Sequence, residues 1–271
     1  ARTANIVDAP FAWKPGIRVG MGMVLQDDFD VKFSYTNFNT TATNQAAGEV
    51  YSGFLGNFYV DNSDGTQFGP HYGSANINWD FSFQNFDLEI GRTSSIGSAL
   101  LRPFVGIKGA IIKQAIRSRW RDPIDTLDPL KIYTFTTASE NLEQDYWGIG
   151  PSFGVEATVP IYTGSDYSLQ LFAAPSGALM YGHWQFSDHY ENDESTTVDI
   201  NLSPIDGLST MLRGMIGIEW TQHFSRITTS VRLKYETQIW LNQMQFYSLS
   251  MGRLNNLMSL QGGVLDVAIH Y

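Results

Sequence analysis

The side chains in this sequence that could carry acid/base chemistry are His71, His183 and the neighbouring pair Asp188 and His189. An imidazole beside a carboxylate can move protons near neutral pH. No spacing among these residues repeats a catalytic pattern and no nucleophile is singled out, so no catalytic residue is expected. Glu191, Asn192, Asp193 and Glu194, with Asp199 downstream, could face a divalent cation. They lack the ligand spacing and the turn glycine of a dedicated calcium loop, and no metal site is expected. Lys113, Arg117, Arg119 and Arg121 form a basic run around Trp120, which fits a pore-narrowing loop, a contact to lipopolysaccharide or a solvated loop; the solvated loop is the expectation. Gly148, Gly150 and Gly154 fall at strand period, where they relieve crowding on an inward face rather than cradle phosphate.

The elements that must hold these residues are strands. Ile17, Val19, Met21, Met23 and Leu25 alternate with Arg18, Gly20 and Gly22, a clear period of two. After the acidic turn Asp27-Asp28, Phe29, Val31, Phe33 and Tyr35 repeat the alternation, so the two segments predict a hairpin. Residues 37–74, rich in Asn, Thr, Gly and Asp, read as a long loop. Ile77, Trp79, Phe81 and Phe83 then share one face until the phase breaks at Gln84-Asn85, and Phe86, Leu88 and Ile90 resume it. That break predicts either a tight hairpin or one strand with a bulge. Further strands are expected over residues 101–114, 145–160, 166–184, 210–224, 227–240 and 259–271. In the last of these, Gly263, Leu265, Val267, Ile269 and Tyr271 oppose Val264, Asp266, Ala268 and His270.

Composition limits the function classes. No apolar run approaches the ~20 residues that a membrane helix needs. Aromatics make up 14 % of the 271 residues while charged residues make up 16 %, below the ~25 % usual for soluble domains. The net charge of -10 argues against nucleic acid, which selects a basic face. Without cysteine there is neither a disulfide framework nor a thiolate metal site, and no cofactor is implied.

Alternating strands with apolar residues on one face and charge on the other, joined by connections that alternate short and long, are the pattern of an outer-membrane barrel. The expected fold is therefore all-β: one domain over residues 1–271, a transmembrane antiparallel up-and-down β-barrel with short periplasmic turns and long external loops. The rhythm stays in phase only if residues 77–92 are one bulged strand. Nine strands are legible, and bacterial barrels of one chain have an even number, so about ten are expected, with one strand and a secretory leader upstream of Ala1. Residues 50–60 and 131–137 are expected as hairpin arms within external loops.

Several blocks carry a family resemblance: Trp13-Lys14-Pro15-Gly16-Ile17-Arg18-Val19-Gly20, Leu101-Arg102-Pro103-Phe104-Val105-Gly106, Asp145-Tyr146-Trp147-Gly148-Ile149-Gly150, Leu179-Met180-Tyr181-Gly182, Leu241-Asn242-Gln243-Met244-Gln245 and Ser259-Leu260-Gln261-Gly262. In this order they resemble the Legionella major outer membrane protein family, pore-forming barrels also found in chlamydia-like bacteria. The resemblance implies an outer-membrane location and a pore. In that family an apolar, aromatic strand precedes the block at Trp13, which agrees with the odd strand count.

The inward faces would then line a lumen. They carry Arg18, Asp30, Lys32, Asp80, Glu89, Arg102, Lys108, Glu156, Arg213, Glu219, Arg232, Lys234, Glu236 and Asp266, with both signs mixed, which predicts weak selectivity. These charges could equally pair and fill a narrow interior. Trp79, Trp147, Trp220 and Tyr271, near strand ends, are expected in the membrane-interface girdle. The expected function is a porin-like channel for ions and small polar solutes, in contact with outer-membrane lipid and lipopolysaccharide, with homo-oligomerisation left open. The alternatives are a rim-active hydrolase, omptin-like or lipid-modifying, and a plugged barrel acting as an adhesin or structural protein.

Overall fold

The computed structural model describes residues 7–51, 71–124, 133–195, 197–248 and 252–270. Tyr271 and most of the expected hairpin arm at 50–60 lie outside them, as do Lys131 and Ile132. The strands are β1 (Ile17–Val24), β2 (Phe29–Val50), β3 (His71–Arg92), β4 (Ser94–Ile96), β5 (Ala99–Ile124), β6 (Thr137–Thr163), β7 (Tyr167–Ala173), β8 (Ser176–Asn192), β9 (Thr197–His223), β10 (Thr228–Ser248) and β11 (Gly252–His270). All belong to one antiparallel sheet, in sequence order from β1 to β11.

Two of the staves are interrupted rather than doubled. β4 continues the line of β3 and, among the described residues, pairs only with β5. β7 and β8 keep the same register against β6 and the same register against β9. Ala174, between them, exchanges backbone hydrogen bonds with Met215 at 2.9 and 3.2 Å. Among the described residues the sheet is thus nine staves wide, as the sequence rhythm predicts. It rolls up so that its first stave is tied across the interior to its last but one: the Arg18 guanidinium on β1 grips the Glu236 carboxylate on β10 at 2.8 and 3.0 Å.

Tight turns gather at one end. Asp27 and Asp28 adopt φ of 58° and 62°, and Gly97 takes φ of 61° in the two-residue turn between β4 and β5. Short acids and glycine tolerate this left-handed backbone, which matches the twist of a hairpin. The opposite end departs from expectation. Much of what reads as loop is strand: β2 continues to Val50, β5 to Ile124, β8 to Asn192, and β9 starts at Thr197. Strands of 22 to 27 residues far exceed the ~9–11 residues that cross a bilayer.

The reason the extensions escape a reading by apolar faces is that the sheet inverts its polarity partway up. In the lower half, Val19, Phe33, Leu88, Val105, Ile107, Ile149, Leu212, Ile218 and Val267 point outward and are exposed. Along β5 this outward apolar face runs from Leu101 to Ile111. That is about 34 Å of strand, or about 26 Å of height at a tilt of ~40°, close to the ~25 Å band of a transmembrane barrel. Above it the outer face turns polar, with Lys113, Arg117, Arg119 and Arg121 on β5, and the apolar residues move inside.

β3 shows the inversion within one strand. Its ladders to β2 and β5 run through Gln84 and Asn85 without a register shift, so neither a hairpin nor a bulge exists there. Phe81 and Phe83 are buried inside, whereas Phe86 and Leu88 are exposed outside. The phase break in the sequence is a change of solvent on each face, not a change of backbone. True shifts occur where none is expected, in the β8–β9 ladder between Trp184 and Phe186 and in the β10–β11 ladder between Trp240 and Met244.

Candidate functional site

In the lower interior, inward-facing charges from non-adjacent staves meet. Arg102 on β5 binds Asp30 on β2 through Nε at 2.8 and 2.9 Å and through Nη2 at 2.5 Å. Its Nη1 reaches Glu89 at 3.1 Å and Glu156 at 3.2 Å, and its guanidinium lies over the Phe104 ring. Lys32 crosses from β2 to Glu156 on β6 at 2.7 Å. Arg232 binds Glu219 at 2.8 Å and rests over the Phe172 ring; Lys234 binds Asp266 at 2.5 Å. Asp87 pairs with Lys108 and, at 3.4 Å, with Arg213.

All the expected lumen charges except Asp80 form ion pairs in this interior, with Arg18–Glu236 and Lys234–Asp266 standing as separate pairs. Asp80 faces outward, accepting from Thr41 Oγ1 at 2.8 Å and from Arg117 at 2.6 Å. It sits in the part of β3 where polarity has already inverted, so its polar neighbours mark the outer face. Trp79 changes sides for the same reason. It turns inward, donates Nε1–H to Gln114 at 3.2 Å and packs against Phe11. Trp147 and Trp220 are exposed on the outer face, Trp147 beside Tyr181 and stacked on His183. Asp87 escaped the sequence reading although its period relates it to Glu89 and places it opposite Phe86 and Leu88.

Above the charges lies an apolar layer that crosses the whole interior. Phe81, Phe83, Ile112, Tyr146, Met180, Trp184, Met211, Trp240 and Met258 come together from β3, β5, β6, β8, β9, β10 and β11, with Phe38 of β2 packed against them. Ile112, Met180, Met211 and Trp240 have no exposed surface. A strut braces the layer: Gln144 on β6 donates to the Gln243 carbonyl on β10 at 2.9 Å and accepts from the Gln245 amide at 2.9 Å. Trp184 Nε1–H donates to the same carbonyl at 3.2 Å. Gln243 lies within the register shift of β10, so the bulge frees a carbonyl for cross-barrel use.

The histidines do not converge. His183 binds Asp206 and His189 binds Asp199, each at 2.7 Å on the outer face of β8 and β9; the Asp199 hydrogen bond raises the His189 pKa. Asp188 faces the other way, buried with Glu140. The acids at 191–194 are engaged separately: Asp193 accepts from the amides of Thr136 and Thr137, Glu191 from Ser139 and Glu194 from Thr134.

A family model described as the Legionella pneumophila major outer membrane protein precursor matches residues 2–271. No curated protein and no solved structure matches the chain.

Proposed function

The chain belongs to the Legionella pneumophila major outer membrane protein family and is an outer-membrane protein, and from that premise we propose that it is a porin-like channel for ions and small polar solutes, held closed in this conformation by the apolar layer. One observation carries the reading: the belt of the sheet that is apolar outside is charged inside. A mere anchor has no use for so many desolvated charges. Acids and bases balance in this interior, which favours weak ion selectivity over a filter of one sign. The short-turn end faces the periplasm and the extended end faces outward. An apolar constriction can stop conduction by excluding water even where it is not sterically sealed. A barrel little wider than eight strands leaves an interior that side chains can fill.

The completeness of that layer favours a second reading, a permanently plugged barrel that displays its extended end. Single-channel recording in planar bilayers separates the two. A gated channel gives rare discrete steps in the unaltered protein and frequent ones once Trp240→Ala and Met211→Ala thin the layer. If a folded variant of this kind conducts no better than the bare bilayer, the channel reading falls and the plugged barrel stands.

A further inference from the structure

On the outer face of the extended end, β2, β3, β5, β6 and β8 form a concave groove of about 740 Å³, within the ~300–1,000 Å³ usual for ligand sites. The strand registers build it as two rows running across the strands. One row is Thr43, Asn78, Arg117, Asn141 and His189; the next is Gln45, Asn76, Arg119, Ser139 and Glu191. At ~4.8 Å between strands, each row is about 19 Å long. Every position offers hydrogen-bonding groups, and none carries a phenyl, phenol or indole ring. The central column is cationic: Arg117 is tied to Asp80 at 2.6 Å, and Arg119 is exposed. Charge at the β8 edge is different, with His189 held by Asp199 and with Glu191 beside it.

We propose that this groove binds the anionic saccharide core of the lipopolysaccharide surrounding the barrel. Rows of amides and hydroxyls suit a ligand dense in hydroxyl groups. The two guanidinium groups suit its phosphate or carboxylate substituents, which they can grip through paired N–H donors. Height selects the part of the lipid. Arg117 and Arg119 lie six and eight residues beyond Ile111, the top of the apolar belt on β5, or about 15 to 21 Å higher at a tilt of ~40°. Phosphates at the lipid surface lie near Lys113, and the core sugars lie at the groove. The inference needs the outer-membrane location but not conduction.

The test is calorimetric titration of the full chain, in nanodiscs of neutral phospholipid, with soluble phosphorylated core oligosaccharide, its dephosphorylated form and inorganic phosphate. The phosphorylated core should bind. Dephosphorylation, or the double change Arg117→Ala and Arg119→Ala, should weaken it by about tenfold or more, while Arg226→Ala at the opposite end leaves it unchanged. Arg119→Ala and Asn141→Ala, which spare the Arg117–Asp80 pair, should each weaken it in a protein that keeps its fold. Equal binding to the unaltered protein and a folded groove variant overturns the proposal, as does no binding to the unaltered protein. Inorganic phosphate binding as tightly as the core would reduce the groove to a simple anion site and overturn the saccharide assignment.

Discussion

Asp87 is the carboxylate on which two buried cations depend, since Lys108 and Arg213 both converge on it and all three side chains are nearly inaccessible. Breaking a buried pair leaves an uncompensated charge and costs about 3–5 kcal/mol, whereas an exposed pair is worth about 0–1 kcal/mol. Asp87→Asn should therefore shift the urea midpoint for folding into detergent micelles strongly. Asp80→Asn, which breaks an ion pair half open to solvent, should scarcely move it. Comparable shifts in the two variants would mean that water reaches Asp87 freely, contrary to its burial. At this scale the inward charges other than Asp87 were legible from period two alone. Asp80 and Trp79 were not, because alternation states which residues share a face and leaves open which face is wet.

Among the elements, β6 and β8 are joined in the extended end by an acid pair. Glu140 and Asp188 are diagonal neighbours, two rungs apart on the ladder and successive on its inward face, between the cluster around Tyr190 and the cluster around Leu142 and Phe186. Burial and the neighbouring Asp188 push the Glu140 carboxyl up to about 9, and burial lifts Asp188 as well. The folded protein thus keeps a proton that the unfolded chain has released above about pH 4.5. Between that pH and about 9 the native state binds more protons, so this pair makes stability fall as pH rises. Glu140→Gln keeps a donor for Asp188 and removes the titration. The variant should match the unaltered protein near pH 5, melt at a higher temperature near pH 9, and fail to do so only if the pair is hydrated. These long upper strands were the least legible elements. Their apolar residues face inward and their Asn, Thr and Ser face water, which in a chain otherwise patterned for lipid imitates loop composition. The lower strands were legible almost residue by residue, because lipid requires an uninterrupted apolar face.

For the molecule as a whole, two barrels of opposite polarity share one set of strands. The lower is dressed for lipid, with charge inside; the upper is dressed for water, with the tyrosine, tryptophan and phenylalanine clusters inside. The boundary is sharp on β5, where outward Ile111 is followed two residues later by outward Lys113. Hydrophobic burial thus works in opposite directions along the same backbone, toward lipid below and toward the interior above. The absence of cysteine makes this directly measurable with single introduced thiols. In proteoliposomes, a membrane-impermeant maleimide should label Asn76→Cys and Arg119→Cys on the molecules whose extended end faces the bulk solution. It should spare Val105→Cys and Leu212→Cys, and a fluorophore placed at these two should be quenched by brominated lipid chains. A water-soluble β-protein merely adsorbed to the vesicle would label at all four. A barrel whose belt reached the upper strands would instead shield Asn76→Cys and Arg119→Cys, so on β5 the change from shielded Val105→Cys to labelled Arg119→Cys brackets the height at which the protein leaves the membrane.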